Sequence, residues 1–301
     1  MMQPPDNKRA RLLPSATLDA LDNDLLIRCA SYLDADGLAH LGRTSARFGI
    51  PQAGQQRSLV NDLAHQQFRQ SATEEERSRL PKYEDESDIG LCQALESLRQ
   101  PLRFDVLVGT GFGPHEHPAS VTRTSHGDWS TAMSGHVMRG GRHFVEITIA
   151  SGQQYVPAVH LGVMRPISLT KGIDLVADWE GTVYPMFSSS YYKPAVSLKL
   201  RSQRTARWGG GNVHCCSYYC SSGSRHWTNW NDVGSSSTWQ GREGLGGSGG
   251  TIGLLLDLNE GTLSVFKNGR LLGVMKDGLS GEYCWIVTFE SPCTISMSNG
   301  T

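Results

Sequence analysis

No apolar run in this 301-residue chain approaches the ~20 residues that a helix needs to cross a bilayer. Neither sign of charge dominates: 28 Lys and Arg stand against 29 Asp and Glu, a formal net charge of −1. That balance removes any general electrostatic pull toward nucleic acid or an anionic membrane. Cysteine is sparse and odd in number, seven in all, which suits free thiols in a reducing compartment rather than a disulfide framework. The Asn299-Gly-Thr sequon then carries no glycan. The opening "MMQPPDNKRARLLPS" is basic but has no apolar core behind it, so no secretory signal is expected. These shortages predict a soluble intracellular chain, cytoplasmic or nuclear, with no cofactor, metal, nucleic-acid or membrane partner.

Two further scarcities divide the chain. The first hundred residues hold 5 of the 34 glycines and none of the 7 tryptophans. Gly-rich turns and aromatics favour β structure, and their lack favours helix. A helical region followed by an all-β region is therefore expected, with the break near residue 100. The boundaries predicted are a disordered tail over 1–18, short helices over 19–50, a helical connector over 51–100 and a β-sandwich over 101–301.

Within "LDNDLLIRCASYLDADGLAHLGRTSARF", Leu21, Leu25, Leu26, Cys29 and Leu33 recur at helical spacings of three and four. Asn23 or Asp24 is a candidate cap for this helix. Asp36 precedes a second apolar set, Leu38 and Leu41, and Phe48 closes a third short helix ended by Pro51. Further helices are expected at about 56–69 and 87–99, with an exposed linker within the charged stretch Ser71–Asp88. The three short helices resemble an F-box, in which a Leu-Pro start is followed by a Leu-Leu pair, an Ile, a Tyr-Leu and an Asp-Leu helix start. The counterparts are Leu21, Leu25–Leu26, Cys29, Tyr32–Leu33, Leu38 and Leu41, while Asp22 replaces the family's proline and Gly37 its aspartate. The resemblance implies that these leucines bind the adaptor subunit of an SCF-type cullin ubiquitin ligase. The alternative is a small bundle that closes on the helices of 56–99, because so short a segment buries too little surface to fold alone.

Beyond residue 100, apolar strands alternate with turn clusters, as in an antiparallel sandwich. "RHFVEITIA" places Val145, Ile147 and Ile149 on one face, "AVHLGVMRP" does so with Val159, Leu161 and Val163, and "GTIGLLLDL" with Ile252, Leu254, Leu256 and Leu258. Asn268–Gly269 predicts a type I′ hairpin. The run "GGTIGLLLDLNEGTLSVFKNGRLLGVM" resembles the signature core of a SPRY domain, with Asp257, Gly261, Lys267, Asn268, Gly269 and Gly273 in the family's order. Upstream, "GGRHFVEI" with Glu146 and "HLGVMR" with Gly162 resemble earlier family strands, whereas residues 170–248 match poorly. This likeness implies a concanavalin-like two-sheet sandwich whose loops hold a target protein or peptide, with the motif residues structural. The fold class expected is thus α+β by separate domains: a small all-α region, then an antiparallel SPRY-type sandwich. The connector 51–100 would set the distance between the two binding regions.

Residues that could carry chemistry give little. Ser248 in "GGSGG" satisfies G-x-S-x-G, but a nucleophile elbow needs a strand before it and a helix after it. "GTGFG" at 109–113 has no following helix to hold a phosphate. Glu146 has no paired carboxylate for glycoside hydrolysis, although sugar binding by exposed aromatics stays open as an alternative function. His115 and His117 supply two ligands where structural zinc takes four. The stretch "NVHCCSYYCSSGSRHW" gathers Cys215, Cys216, Cys220, His214 and His226 at spacings unlike the usual zinc patterns. It alternates as a strand, Val213, Cys215 and Ser217 opposite His214, Cys216 and Tyr218, with buried thiol packing expected. No catalytic residue and no metal site is expected. The aromatics in polar loops, Tyr184, Phe187, Tyr191, Tyr192, Trp227, Trp230 and Trp239, together with Arg225, have the composition of an interaction surface. Core packing of some of these tryptophans is the competing reading.

Overall fold

Helix α1 (Asn23–Ala30) starts at Asp22, whose carboxylate accepts a bond from the Leu25 amide at 2.8 Å. The residue standing where the F-box has proline is therefore the cap itself, one position before the two candidates. The computed structural model describes residues 22–114, 116–152, 156–236, 239–247 and 249–300. The tail expected over 1–18, together with Leu21, His115 and Ser248, lies outside the described residues. The chain divides into two compact units, Met1–Ala72 with Asp85–Ala94, and Thr73–Glu84 with Leu95–Thr301.

In the first unit, α2 (Ala35–Thr44) is capped by Asp34, which accepts from the Gly37 amide at 2.7 Å, rather than starting at Asp36. Helices α3 (Ala46–Gly49) and α4 (Leu59–Ser71) follow. Leu26, Phe48 and Val60 form the core, with Leu41, Leu59 and Ile89 packed against it. Helices α2 and α3 touch backbone to backbone: a Cβ on Gly49 would fall 2.0 Å from the Gly42 carbonyl oxygen. Buried Asp88 lies 3.2 Å from Arg57 Nε and 3.2 Å from His65 Nδ1.

In the second unit, the charged stretch expected to include an exposed linker also holds helix α5 (Glu74–Arg79). A reciprocal cap starts it: the Glu76 amide donates to the Thr73 hydroxyl at 3.1 Å, and the Thr73 amide donates to the Glu76 carboxylate at 2.8 Å. Arg99 donates to Glu76 at 2.7 Å and, with these bonds, holds its carboxyl down at about 2. Helix α6 (Asp88–Arg99) begins in one unit and ends in the other.

Thirteen strands follow among the described residues: β1 (Phe104–Val108), β2 (Ser120–Arg123), β3 (Ser130–Ser134), β4 (Arg142–Ala150), β5 (Val159–Met164), β6 (Cys215–Tyr219), β7 (Arg225–Thr228), β8 (Val233–Ser236), β9 (Gly249–Asp257), β10 (Thr262–Lys267), β11 (Arg270–Lys276), β12 (Cys284–Phe289) and β13 (Cys293–Ser298). They form two antiparallel sheets, ordered β1-β3-β12-β5-β6-β7-β8 and β11-β10-β9-β4-β13-β2. The helical region followed by an antiparallel sandwich is the architecture expected. Val145, Ile147, Ile149, Ile252, Leu254 and Leu256 face the core between the sheets, joined by Leu161, Val163 and Trp285.

Asp257, Gly261, Lys267, Asn268 and Gly269 occupy turns and strand ends, whereas Glu146, Gly162 and Gly273 lie within strands. The Asp257 carboxylate accepts the amides of Asn259 and Glu260 at 3.0 and 3.1 Å, closing the β9–β10 turn. At the β10–β11 turn, Asn268 and Gly269 have φ of 49° and 77°, the left-handed pair a type I′ hairpin requires. Asn268 also ties back to β9, its side chain accepting from the Thr251 amide at 3.0 Å. Lys267 reaches Glu243 at 2.7 Å, Gly261 and Gly273 have positive φ, and Glu146 sits mid-β4 opposite Gly253. A Cβ on Gly162 would fall 1.9 Å from the Cys216 carbonyl oxygen.

The poorly matching stretch 170–248 supplies β6, β7 and β8 and, ahead of them, a covering layer that periodicity did not predict. Every residue of β5, β12 and β3 is buried, so the seven-stranded sheet is covered on both faces. Its outer cover includes Ile167, Leu169, Trp179, Met186, Trp208 and helix α7 (Pro194–Arg201), packed on Met133, Met164, Cys215, Cys284 and Ile286.

Candidate interaction surfaces

The leucine register of the first helix divides in two. Leu26 and Ala30 are buried at 3% exposure each, whereas Leu25 (48%), Cys29, Tyr32 (90%) and Leu33 (37%) are exposed. Expected on one face, Leu25 and Leu26 point to different surroundings, because neighbours in a helix are about 100° apart. Leu38 is fully buried and Leu41 packs beside the small core. The Leu33 carbonyl is fixed by Gln67 Nε2 at 3.1 Å. The result is an exposed apolar patch: Leu25 and Cys29 on α1, and Tyr32 and Leu33 in the turn that follows its last residue, Ala30.

The second surface is on the sandwich. The strand registers set Tyr219 opposite His160 and His226 opposite Ser217, so all four side chains share the outer face of the seven-stranded sheet. The turn at Pro185–Phe187 brings Tyr184 and Phe187 over them, and Trp129 comes from the loop before β3. Six rings result, packed around His160. Trp129 stacks on Tyr184 at 4.3 Å between centroids, and His160 on Tyr219 at 4.5 Å. Phe187 and His226 meet at 5.4 Å. The five outer rings are half-buried, while His160 is 2% exposed. The rings touch one another, stacked or edge on, and form a continuous aromatic platform.

Its electrostatics are neutral. Burial, and then the His226 charge, push His160 well below the usual imidazole range, and burial lowers His226 too. Burial raises the Tyr184 hydroxyl. The Tyr184 hydroxyl meets His160 Nε2, and His160 Nδ1 lies 2.9 Å from Ser217 Oγ. Ser217 is fully buried.

The remaining loop aromatics separate. Tyr191 (84%) and Tyr192 (64%) are exposed and meet edge to face at 5.0 Å. Arg225 donates to the Met275 carbonyl at 2.6 Å, and Trp227, half-buried, has Lys276 Nζ 5.5 Å from its ring centre. Trp230 and Trp239 do not belong with surface aromatics. Trp230 is fully buried, with Nε1 donating to the Pro185 carbonyl, and Trp239 is 7% exposed, with Nε1 donating to the Gly223 carbonyl at 2.7 Å. Both acceptors are backbone carbonyls of distant segments, 45 and 16 residues away in sequence, so each indole is buried with its N–H satisfied. Trp129, His160, Tyr219 and His226 were missed because only strand pairing assembles them.

In the cysteine-rich stretch, Cys216, Tyr218 and Cys220 enter the core between the sheets and Cys215 the outer core. Val213 and His214 change sides relative to the expected alternation, because the regular strand begins only at Cys215. Burial raises all three thiols, Cys216 to about 12. Among the described residues, no group of three or more His, Cys, Asp or Glu is placed to hold a metal ion, and no helix is long and apolar enough to cross a membrane.

No family model and no curated protein matches the chain. Among solved structures it is similar to the SPRY domain of human HERC1, at 16% identity over 63% of this chain and 98% of that one, TM-score 0.41. It is similar to the PSpry domain of TRIM65, at 15% identity over 67% and 93%, TM-score 0.39. A third is the NEUZ (NHR) domain in Neuralized from Drosophila melanogaster, at 11% identity over 67% and 93%, TM-score 0.38.

Proposed function

We infer that this chain is a non-enzymatic protein-interaction protein, a substrate receptor of an SCF-type cullin ubiquitin ligase. The F-box-like helices at 19–50 bind the adaptor subunit, and the SPRY-like sandwich holds the protein to be modified. The observation that carries the reading is the exposed patch Leu25, Cys29, Tyr32 and Leu33. Exposed apolar side chains on α1 and the turn that follows it, outside the core of Leu26, Phe48 and Val60, are suited to a partner's apolar groove. On the sandwich, Trp129, Tyr184, Phe187, Tyr219 and His226 supply rigid, half-buried rings with neutral polar tips, the composition of a peptide-binding hot spot. The exposed Tyr191 and Tyr192 extend the aromatic loops available to a target.

A second reading is favoured by the core of Leu26, Phe48 and Val60: a SPRY scaffold whose N-terminal helices form a self-contained bundle and bind no adaptor. Paired variants separate the two. Leu25→Asp with Tyr32→Asp leaves the bundle core intact and abolishes adaptor co-purification while sparing target capture. Tyr184→Ala with Phe187→Ala does the reverse. If the helix variant changes nothing that co-purifies, the scaffold reading stands and the ligase reading falls.

A further inference from the structure

The platform around His160 is bordered by neutral groups. On the outer face of the seven-stranded sheet, strand pairing sets Thr131, Thr288, His160 and Tyr219 in one row. A second row runs from Ser217 through His226 to Ser235. Neither row holds Asp, Glu, Lys or Arg. Burial lowers both imidazoles, so they are uncharged at neutral pH. With no charge to answer, the complement of this face is an uncharged segment.

Hydrogen bonding narrows the choice further. The Tyr184 hydroxyl is used on His160. Trp129 Nε1 and the Tyr219 hydroxyl make no hydrogen bond among the described residues, and neither atom is enclosed. The indole nitrogen can only donate, and the phenol supplies a second donor. Both rings are already fixed, Trp129 stacked on Tyr184 at 4.3 Å and Tyr219 on His160 at 4.5 Å. Trp129 also meets His160 edge on at 5.4 Å, so the two free donors sit on rings that share a neighbour. An ordinary extended segment brings an N–H with every C=O and needs acceptors as well as donors. Consecutive prolines have no N–H, offer carbonyls and present apolar rings. In polyproline II they are extended before docking, at three residues and about 9 Å per turn, so little freedom is lost against rings already in place. A sugar is a poorer complement: its hydroxyls both donate and accept, and neither row supplies a carboxylate or carboxamide to meet them.

We propose that the platform docks a proline-rich segment in the polyproline II conformation, its prolines packed on Trp129 and Tyr219 and its carbonyls accepting from Trp129 Nε1 and the Tyr219 hydroxyl. This names the partner class of the target-holding surface and rests on the interaction reading above. The full chain is titrated with a blocked hexaproline peptide, a blocked Gly-Ser hexapeptide and maltohexaose, and the Trp129 indole N–H and Tyr219 ring are followed by NMR. Hexaproline shifts both signals saturably, and the other two leave them in place. Tyr219→Phe keeps the ring and loses the hydroxyl, and Trp129→Phe keeps a ring and loses the indole N–H. Each weakens binding about two- to tenfold, the worth of one neutral hydrogen bond. Phe266→Leu removes a half-buried ring that pairs with Phe144 on the other sheet and leaves affinity unchanged. No saturable shift with hexaproline, equal binding of the Gly-Ser peptide, saccharide binding in its place, or undiminished affinity in both phenylalanine variants overturns the proposal. Target capture that depends on Tyr184 and Phe187, in a chain indifferent to hexaproline, overturns the proline assignment alone and leaves the interaction reading standing.

Discussion

Replacing Trp230 by alanine tests whether the loop indoles are core or surface. The ring is fully buried between Trp208, at 5.7 Å, and His214, at 5.1 Å, and its Nε1 donates to the Pro185 carbonyl at 3.2 Å. Its own carbonyl accepts from the Ser197 hydroxyl of α7. Removing the ring opens a cavity under the helical cover and leaves the Pro185 oxygen with the Ser188 amide alone, at 3.3 Å. Large-to-small truncations of buried aromatics cost about 3–5 kcal/mol, which shifts the unfolding equilibrium by roughly two to three and a half orders of magnitude. The backbone adds a second, separable effect. Trp230 has φ of 59°, a left-handed conformation that alanine resists and glycine does not. Trp230→Gly should therefore be about 1 kcal/mol less destabilised than Trp230→Ala. Urea unfolding followed by circular dichroism measures both, with a midpoint lowered by ~1–2 M for the alanine variant if m is about 2–3 kcal/mol/M. Tyr191→Ala, at an 84% exposed ring, should stay within about 0.5 kcal/mol of wild type. An unchanged midpoint for Trp230→Ala, or a loss as large for Tyr191→Ala, refutes the placement of these rings.

Two other outcomes follow from buried groups. His143 is 5% exposed, and burial, outweighing its bond to the Gly140 carbonyl, lowers its imidazole to about 4. The unfolded chain takes up this proton near pH 6.5 and the folded chain resists it, so the associated stability is present above pH 6.5 and lost as pH falls toward 4. The ceiling is about 3 kcal/mol. Urea midpoints at pH 7.5, 5.5 and 4.5 should fall less steeply for His143→Gln, and identical slopes would contradict the assignment. Of the seven cysteines only Cys29 is exposed, the other six being buried. Iodoacetamide should therefore label Cys29 alone in the native protein and all seven after denaturation; native labelling of Cys216 or Cys220 would reopen the metal and redox readings of that stretch.

Strand periodicity made the sandwich legible because one face of β4 and β9 meets the other sheet and the opposite face does not. Periodicity was silent on the layer over β5, β6 and β12, which are buried on both sides, because that layer is largely irregular chain with one eight-residue α-helix and two three-residue 3-10 helices. Helix α5 was hidden for another reason. Its six residues, EEERSR, carry no apolar stripe, and only the Thr73–Glu76 spacing, a capping box, pointed to it. The leucine register at 21–41 was visible in the sequence, but its division into Leu26 inside and Leu25 outside depends on where α4 packs. The platform around His160 had almost no local signal. Its six rings come from residues 129, 160, 184, 187, 219 and 226, and only Tyr184 and Phe187 stood in a stretch whose composition marked them. The signal available was strand pairing: once β5, β6 and β7 are aligned, His160, Tyr219 and His226 must share a face.

Direct binding of the purified cullin-ligase adaptor to the full chain, measured by calorimetry, tests the central claim most closely. The account predicts a saturable one-to-one complex. Leu25→Asp with Tyr32→Asp should abolish it without lowering the melting temperature, because both side chains are exposed and Leu26, Phe48 and Val60 are untouched. No complex with the wild-type chain, or a complex indifferent to those two substitutions, would contradict it.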